Sequence, residues 1–335
     1  MRIFILGTAE TLWLTARHLH LSGCDEIVGV LTRKSSIATS RTESDYRAMA
    51  EEFSAAFMLR ETLDAAAMDL IARCHADICV TLDWAPTPPR IANCFRFGVI
   101  TSVFGDPRLQ SGINLDLWSI LLGRHELGLT IKHVSPLDNL VRVLPVGTTI
   151  SLDQNITIAD IVRFADSRTP SLIRDALRFL SENNPGADLP PVDETGSYRY
   201  HPLDSRDCRI DWSRSAGEVL ACVQAFTRPA SGAYTYMREN GGRVIKLHVW
   251  RARRVLNFQN EIGNPGQVIE CNQDSGEAIV LTGDGAVALQ SASEGDRGVW
   301  FEPGKAWRDA NIRLGLALED EIYHLLSREF IMRGR

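Results

Sequence analysis

Two short stretches of this chain hold side chains able to move a proton or to meet a developing negative charge. The first reads Thr101-Ser102-Val103-Phe104-Gly105-Asp106-Pro107-Arg108. The second runs from His133 through Val134-Ser135-Pro136-Leu137-Asp138-Asn139-Leu140-Val141. A carboxylate and an imidazole brought together from two adjacent strand ends make a general base, which marks Asp106, His133 and Asp138 as candidates. Each has a structural reading beside the chemical one. Asp106-Pro107 is a natural turn, and His133, alternating with Val134, can face the core. Arg33, Lys34 and Arg41 form a basic loop diluted by Glu43 and Asp45, and read as a solvated loop rather than a phosphate cradle. Arg251, Arg253 and Arg254 follow His248-Val249-Trp250 as an exposed basic edge, which edge protection explains equally well. Gly283-Asp284-Gly285 reads as a hairpin turn.

The elements that must position these groups follow from apolar patterning. Residues 2–6, 26–31, 77–82, 98–103 and 128–134 are compact apolar runs with strand character. The segments at 45–57, 65–74, 115–122 and 158–182, and the one after Gly7-Thr8, have helical character. Strands alternating with helices predict a mostly parallel, doubly wound α/β sheet. Ligands of such sheets bind beyond the carboxyl ends of the strands, here after Leu6, Leu82, Val103 and Val134. A Pro/Gly-rich passage at 183–191 predicts a linker. Beyond it, a helix near 216–226 and short strands near 233–237, 244–252, 266–271, 278–282 and 286–291, broken by glycine turns, suggest a small antiparallel barrel. The expected division is 1–185 as the first domain, 186–205 as linker, 206–312 as barrel domain and 313–335 as a C-terminal amphipathic helix.

With 335 residues, 44% of them hydrophobic and 23% charged, the chain suits two globular domains. A net charge of −6 leaves no global positive field for nucleic acid or an anionic membrane. The seven cysteines are scattered and never in CxxC spacing, which predicts reduced thiols and no zinc site. The opening apolar run is too short for a signal peptide, and no stretch approaches membrane-spanning length, so a cytoplasmic protein is expected.

Five pieces in order then carry a family resemblance: Arg209-Ile210-Asp211-Trp212-Ser213, Val223-Gln224-Ala225-Phe226-Thr227-Arg228-Pro229, Gly232-Ala233-Tyr234-Thr235-Tyr236, Gly263-Asn264-Pro265-Gly266 and Thr282-Gly283-Asp284-Gly285. This succession resembles the C-terminal domain of methionyl-tRNA formyltransferase and of sugar N-formyltransferases. Trp212 and Phe226 are expected to anchor its core. The N-terminal part is similar to the same folate-dependent family. Gly7-Thr8 stands at its Gly-Thr turn, and Gly112, Trp118, Gly123, Glu126, Gly128, Thr130 and Ile131 fall on its pattern without a gap. Trp84, Ala85, Pro86, Pro88 and Pro89 resemble the segment that approaches the pterin of the cofactor. The resemblance implies a Rossmann-like formyltransferase domain joined to a small C-terminal OB-like β-barrel, with 10-formyltetrahydrofolate as cofactor.

The family's reaction passes a formyl group to a primary amine through a tetrahedral oxyanion that an Asn, a His and an Asp stabilise. In the family's register these positions hold Thr101, Val103 and Asn139, which are expected to converge. The resemblance thus implies a degenerate triad, with Asp106, His133 and Asp138 as candidate substitutes. The expected function is that of a formyltransferase relative acting on a small-molecule amine or nucleotide sugar in a biosynthetic pathway, through altered one-carbon or repurposed chemistry. Two alternatives stand beside it: a catalytically silent relative that binds a ligand or a partner enzyme, and conventional N-formyl transfer through substitute residues. Nucleic acid is not an expected partner, and a homodimer is a possible assembly.

Overall fold

The computed structural model describes the chain apart from residues 35–40, 85–88, 184–188, 194–196, 239–241, 257–260, 296, 308–311, 317–321 and 323–335. The chain divides into two compact units: Met1–Asp116, His125–Ser151 and Asp160–His201 form the first, and Leu117–Arg124, Leu152–Ala159 and Pro202–Arg335 the second.

Through the first stretch run β1 (Arg2–Gly7), α1 (Glu10–Ser22), β2 (Glu26–Thr32), α2 (Glu43–Glu52), β3 (Ala56–Leu59), α3 (Ala65–Cys74), β4 (Ile78–Leu82), β5 (Val99–Phe104), β6 (Gln110–Gly112), α4 (Leu115–Leu121), β7 (Glu126–Val134), β8 (Val141–Ser151), α5 (Ile158–Glu182) and β9 (Tyr198–Tyr200). Seven strands form one sheet in the order β3-β2-β1-β4-β5-β7-β8. The first five run parallel, as doubly wound α/β sheets do, while β7 and β8 are antiparallel additions at one edge.

Because successive strand residues point to opposite faces, each strand serves two cores. Ile3 and Ile5 of β1 join Val30, Ile78, Val80, Ile100, Leu129 and Ile131 beneath Leu12, Ala16 and Leu19 of α1 and Ile173, Ala176 and Leu177 of α5. Phe4 and Leu6 join Leu31, Cys79 and Val99 beneath Leu70 and Ile71 of α3 on the other face. The helix expected over 45–57 stops earlier: α2 ends at Glu52, Ser54 takes a left-handed φ of 56°, and Ala56 starts the edge strand β3. The linker region expected at 186–205 carries β9, which pairs in parallel with β6.

The second unit holds α6 (Ala216–Phe226), β10 (Ala233–Arg238), β11 (Val244–Arg254), β12 (Val268–Cys271), β13 (Ala278–Leu281), β14 (Ala286–Glu294), β15 (Trp300–Phe301) and the short α7 (Pro303–Ala306). Its antiparallel sheet runs β10-β11-β14-β13-β12, with β15 on β14. α6 begins with a capping box between Ser215 and Glu218. Trp212 is buried and donates its indole N–H to Thr235 Oγ1 at 3.0 Å, and Phe226 is buried with it.

The small antiparallel barrel expected here is present as an antiparallel sheet without closure: among the described residues β10 and β12, its two edges, do not pair with each other. Instead residues 312–315 touch both. Val268 N–H donates to Ile312 O, Leu314 N–H to Gly266 O, and Gly315 N–H to Tyr236 O. Arg313 and Leu314, expected to open the C-terminal helix, form these β-bridges. Most of that expected helix lies outside the described residues.

Gly7 ends β1 with φ +146°, and a Cβ there would stand 1.8 Å from Leu82 O. Gly23 after α1 has φ +67° but open space around it. Gly7→Ala is therefore expected to cost upwards of about 3 kcal/mol, or to prevent folding, whereas Gly23→Ala costs about 1 kcal/mol. Thermal unfolding of the two variants checks this; equal shifts in Tm would contradict it.

Candidate functional site

β5 carries Thr101 and Val103, two residues apart and so on one face of the sheet. Val99, in the same alternation, packs into the α3-side core, which assigns Thr101 and Val103 to that face. Their partners across the ladder are Lys132 and Thr130 of β7. Thr130 Oγ1 donates to Gly105 O at 2.9 Å. Thr101 Oγ1 has a 3.3 Å contact to the neighbouring Ser102 O. Lys132 is half-buried and, among the described residues, forms no ion pair. The sequence reading missed Lys132. Its signal was the alternation of β7, which places every residue two away from Val134 on the Val99 face.

The same alternation settles where His133 points. It pairs across from Ile100 and shares the face of Leu129 and Ile131, the α1–α5 side, opposite Thr101 and Val103. It is fully buried, and Nε2–H donates to Phe97 O at 2.8 Å. Nδ1 is buried and has no hydrogen-bond partner among the described residues. Burial holds its pKa below the usual histidine value, so the ring stays neutral.

The two candidate carboxylates are clamped. Asp106 caps its own turn, accepting from Arg108 N–H at 3.0 Å and from the Arg108 guanidinium at 2.8 and 2.9 Å. That side-chain bond holds its pKa below the ordinary range. Asp138 accepts from Arg142 at 2.6 and 2.9 Å and from Leu140 N–H at 3.0 Å. These bonds, the Arg142 guanidinium first, bring its pKa down to about 2. Arg142 is itself buried and also donates to Leu189 O, so the pair ties the 135–140 turn to the chain beyond α5. A carboxylate held this way is a weak base and makes no hydrogen bond to His133.

Asn139 sits in that turn with φ +59°, its N–H bonded to Ser135 O at 3.0 Å. Its side-chain Oδ1 is buried and has no hydrogen-bond partner among the described residues. The expected exit of this turn beyond the carboxyl ends of the parallel strands needs correcting. β7 is antiparallel to β5, and Val134 pairs with Val99 while Val103 pairs with Thr130. The turn thus leaves the ladder about 13 Å along β5 from Val103, by ~3.3 Å per residue. For Asn139 to meet Thr101 and Val103, the turn must fold back over the β5 face.

At the true carboxyl ends, β1 and β4 lie side by side at the point where strand order reverses. Thr8 Oγ1 donates to Asp83 at 2.7 Å, and Asp83 takes a left-handed φ of 56°. The buried Trp84 lies under the Arg33 guanidinium, 5.3 Å from the ring centroid, and Arg33 also donates to Asp83 O. Ala85, Pro86 and Pro88 lie outside the described residues, and Pro89 opens a 3-10 turn through Cys94. On the α1 side, Arg41 pairs bidentately with Glu10 at 2.8 Å and stacks on Trp13, so this member of the basic loop is already neutralised. Asp166 of α5 accepts from Thr11 at 2.5 Å, and burial pushes its pKa up. The outcome is one face of the β5–β7 ladder bearing Thr101, Val103, Thr130 and Lys132, with no carboxylate or imidazole among these four side chains.

His133 also predicts a pH dependence. Its folded pKa is depressed, so the unfolded chain binds the proton first. Stability is full above the unfolded pKa of about 6.5 and falls as pH drops below it, by up to about 1.4 kcal/mol per pH unit. Urea unfolding between pH 5 and 8 is expected to show this slope, and His133→Gln to flatten it. A slope unchanged in the variant would remove His133 as its source.

Comparison with known proteins agrees with this architecture. The family described as formyl transferase, C-terminal domain, matches residues 202–298. HypX from Aquifex aeolicus, solved in complex with tetrahydrofolic acid, superposes with a TM-score of 0.59 at 16% identity over 92% of this chain. This chain spans just under half of HypX, 47% of its length. WlaRD, a sugar 3N-formyl transferase solved with dTDP and 5-N-formyl-THF, gives 0.59 at 12% identity over 89% of this chain and 99% of its own. The N-formyltransferase from Helicobacter canadensis, solved with folinic acid and dTDP-3-aminofucose, gives 0.58 at 12% identity over 86% and 98%. Residues 202–298 thus match the formyl transferase C-terminal domain, and the chain as a whole shares the fold of these solved structures.

Proposed function

We propose that this protein binds a reduced folate carrying a one-carbon group and handles that group without a general base. Its chemistry is then altered one-carbon chemistry rather than ordinary formylation of an amine. The observation that carries this reading is the composition of the cleft face: Val103 has no polar atom, His133 is on the other side of the sheet, and Asp106 and Asp138 are held by arginines. Lys132, across from Thr101, is an ammonium suited to polarise a carbonyl oxygen, and the Thr101 hydroxyl is a second donor. The unpartnered Oδ1 of Asn139 supports a ligand N–H as its missing partner, since buried acceptors are rarely left empty. The small molecule bound beside the folate is, in this reading, an amine or nucleotide sugar, and the step on the one-carbon group is one that removes no proton from it. HypX and the sugar formyltransferases, solved with folates, support the cofactor by their common fold.

A silent relative that docks a partner enzyme is a second reading, favoured by Leu137 and Leu140, which stand 67% and 46% exposed in the 135–140 turn. Calorimetric titration with a stable 10-formyltetrahydrofolate analogue separates the two. Binding that weakens several-fold in Lys132→Met is expected, and absence of binding would favour the silent relative. Losing one oxyanion donor costs ~100- to 1000-fold, so the unmodified protein is expected to formylate test amines only at trace rates. The triple change Thr101→Asn, Val103→His and Asn139→Asp is expected to raise that rate. Robust formyl transfer by the unmodified protein would overturn the proposal.

A further inference from the structure

The second unit contains a column of rings with no role in the cleft described above. Trp250 is fully buried in β11, stacks on His248 at 5.6 Å, and donates its indole N–H to Ser293 Oγ at 2.8 Å. Trp300 of β15 stacks on it in turn, centroids 5.2 Å apart and planes within 7°. The column ends there. Trp300 remains 48% exposed, held in place by the β14–β15 pairing of Ser293 with Trp300. It lines a cavity of about 630 Å³ together with Arg251, Gln290, Ser291, Glu302 and Lys305. A fixed indole with an open face is a stacking platform for one further planar ring.

The groups around that platform are mostly cationic or polar. Arg251 is exposed and, among the described residues, pairs with no carboxylate, whereas its neighbour Arg253 is taken by Glu277. Lys305 is partly neutralised by Glu302 at 2.5 Å. Gln290 donates its amide to Glu277 at 3.0 Å, which leaves the amide carbonyl as an acceptor. An indole face, a free guanidinium and an amide carbonyl together match a planar heteroaromatic ring bearing an anionic tail. We propose that this cavity binds a nucleoside phosphate, the base stacked on Trp300 and the phosphate held chiefly by Arg251. A folate shares the ring and the anionic tail, but its carboxylates are weaker partners for one guanidinium than a phosphate is.

Isothermal titration of the full chain with adenosine 5′-monophosphate, uridine 5′-monophosphate, adenosine and 5-formyltetrahydrofolate tests this. Both nucleotides are expected to bind saturably, and adenosine about tenfold more weakly than its monophosphate. Trp300→Ala is expected to weaken nucleotide binding by about tenfold or more, and Trp300→Phe to keep most of it. Arg251→Gln is expected to weaken the monophosphates several-fold while leaving adenosine unchanged. No saturable nucleotide binding up to about 10 mM, or equal affinity in Trp300→Ala, would overturn the site. Tighter, Trp300-dependent binding of the folate would overturn its assignment to a nucleoside phosphate. Should Trp300→Ala not fold, Trp300→Phe and Arg251→Gln still decide.

Discussion

A sheet covered on both faces assigns every residue of its inner strands to one of two cores, and the direction of one strand then decides what the cleft contains. β7 lies beside β5 in antiparallel register, Ile100 against His133 and Thr101 against Lys132. His133 thereby enters the α1–α5 side, on the face of Leu129 and Ile131, and Lys132 comes to the face of Thr101 and Val103. A slip of one position would exchange the two, putting an imidazole beside Thr101 and a lysine in the core. The burial cost of an ammonium among those leucines and isoleucines would be several kcal/mol, so the register is strongly enforced. The chemistry of the cleft is a consequence of core packing rather than a choice made within the cleft.

The charged groups obey a second constraint. Carboxylates of the two candidate turns and of α1 are spent locally: Asp106 on Arg108, Asp138 on Arg142, Glu10 on Arg41. The exposed pairs add little to stability. Arg142 differs because its guanidinium is buried and needs Asp138 as counter-charge, which makes Asp138 a structural residue of the turn that also presents Asn139. A turn fixed by such a pair can leave one acceptor, Asn139 Oδ1, unpartnered without collapsing around it.

How far the sequence carried depended on what each element had to bury. RIFILG, EIVGVLT and ICVTL are continuous apolar runs because both faces of β1, β2 and β4 are covered, and they are legible at sight. β8 is not: VRVLPVGTTIS holds Pro145 and Gly147, both strand-breaking signals. An edge strand tolerates them, and the proline lies in the register shift opposite Thr130 to Lys132. Strand direction was beyond reach as well, since alternation reads the same both ways; the turn after Val134 was accordingly expected at the wrong end. Local pairs were more accessible than they looked. Asp138 and Arg142 stand four apart, and Asp106 and Arg108 two apart, spacings at which one chain can clamp its own carboxylate.

A face built this way constrains the chemistry proposed for it. Formylating an amine requires a proton to leave the attacking nitrogen, and the hydroxyls of Thr101 and Thr130, though able to accept a hydrogen bond, are too weakly basic to take that proton. Asp166 has the raised pKa of an acid–base group, but it accepts from Thr11 on the α1–α5 side, across the sheet from Val103. A face with polar groups but no base can stabilise charge that develops on a carbonyl oxygen and leaves the nitrogen protonated. Such a face suits steps in which the one-carbon group gains electron density on oxygen and no amine proton has to be removed. That asymmetry, fixed by the pairing of β5 with β7, is what the proposed departure from amine transfer rests on.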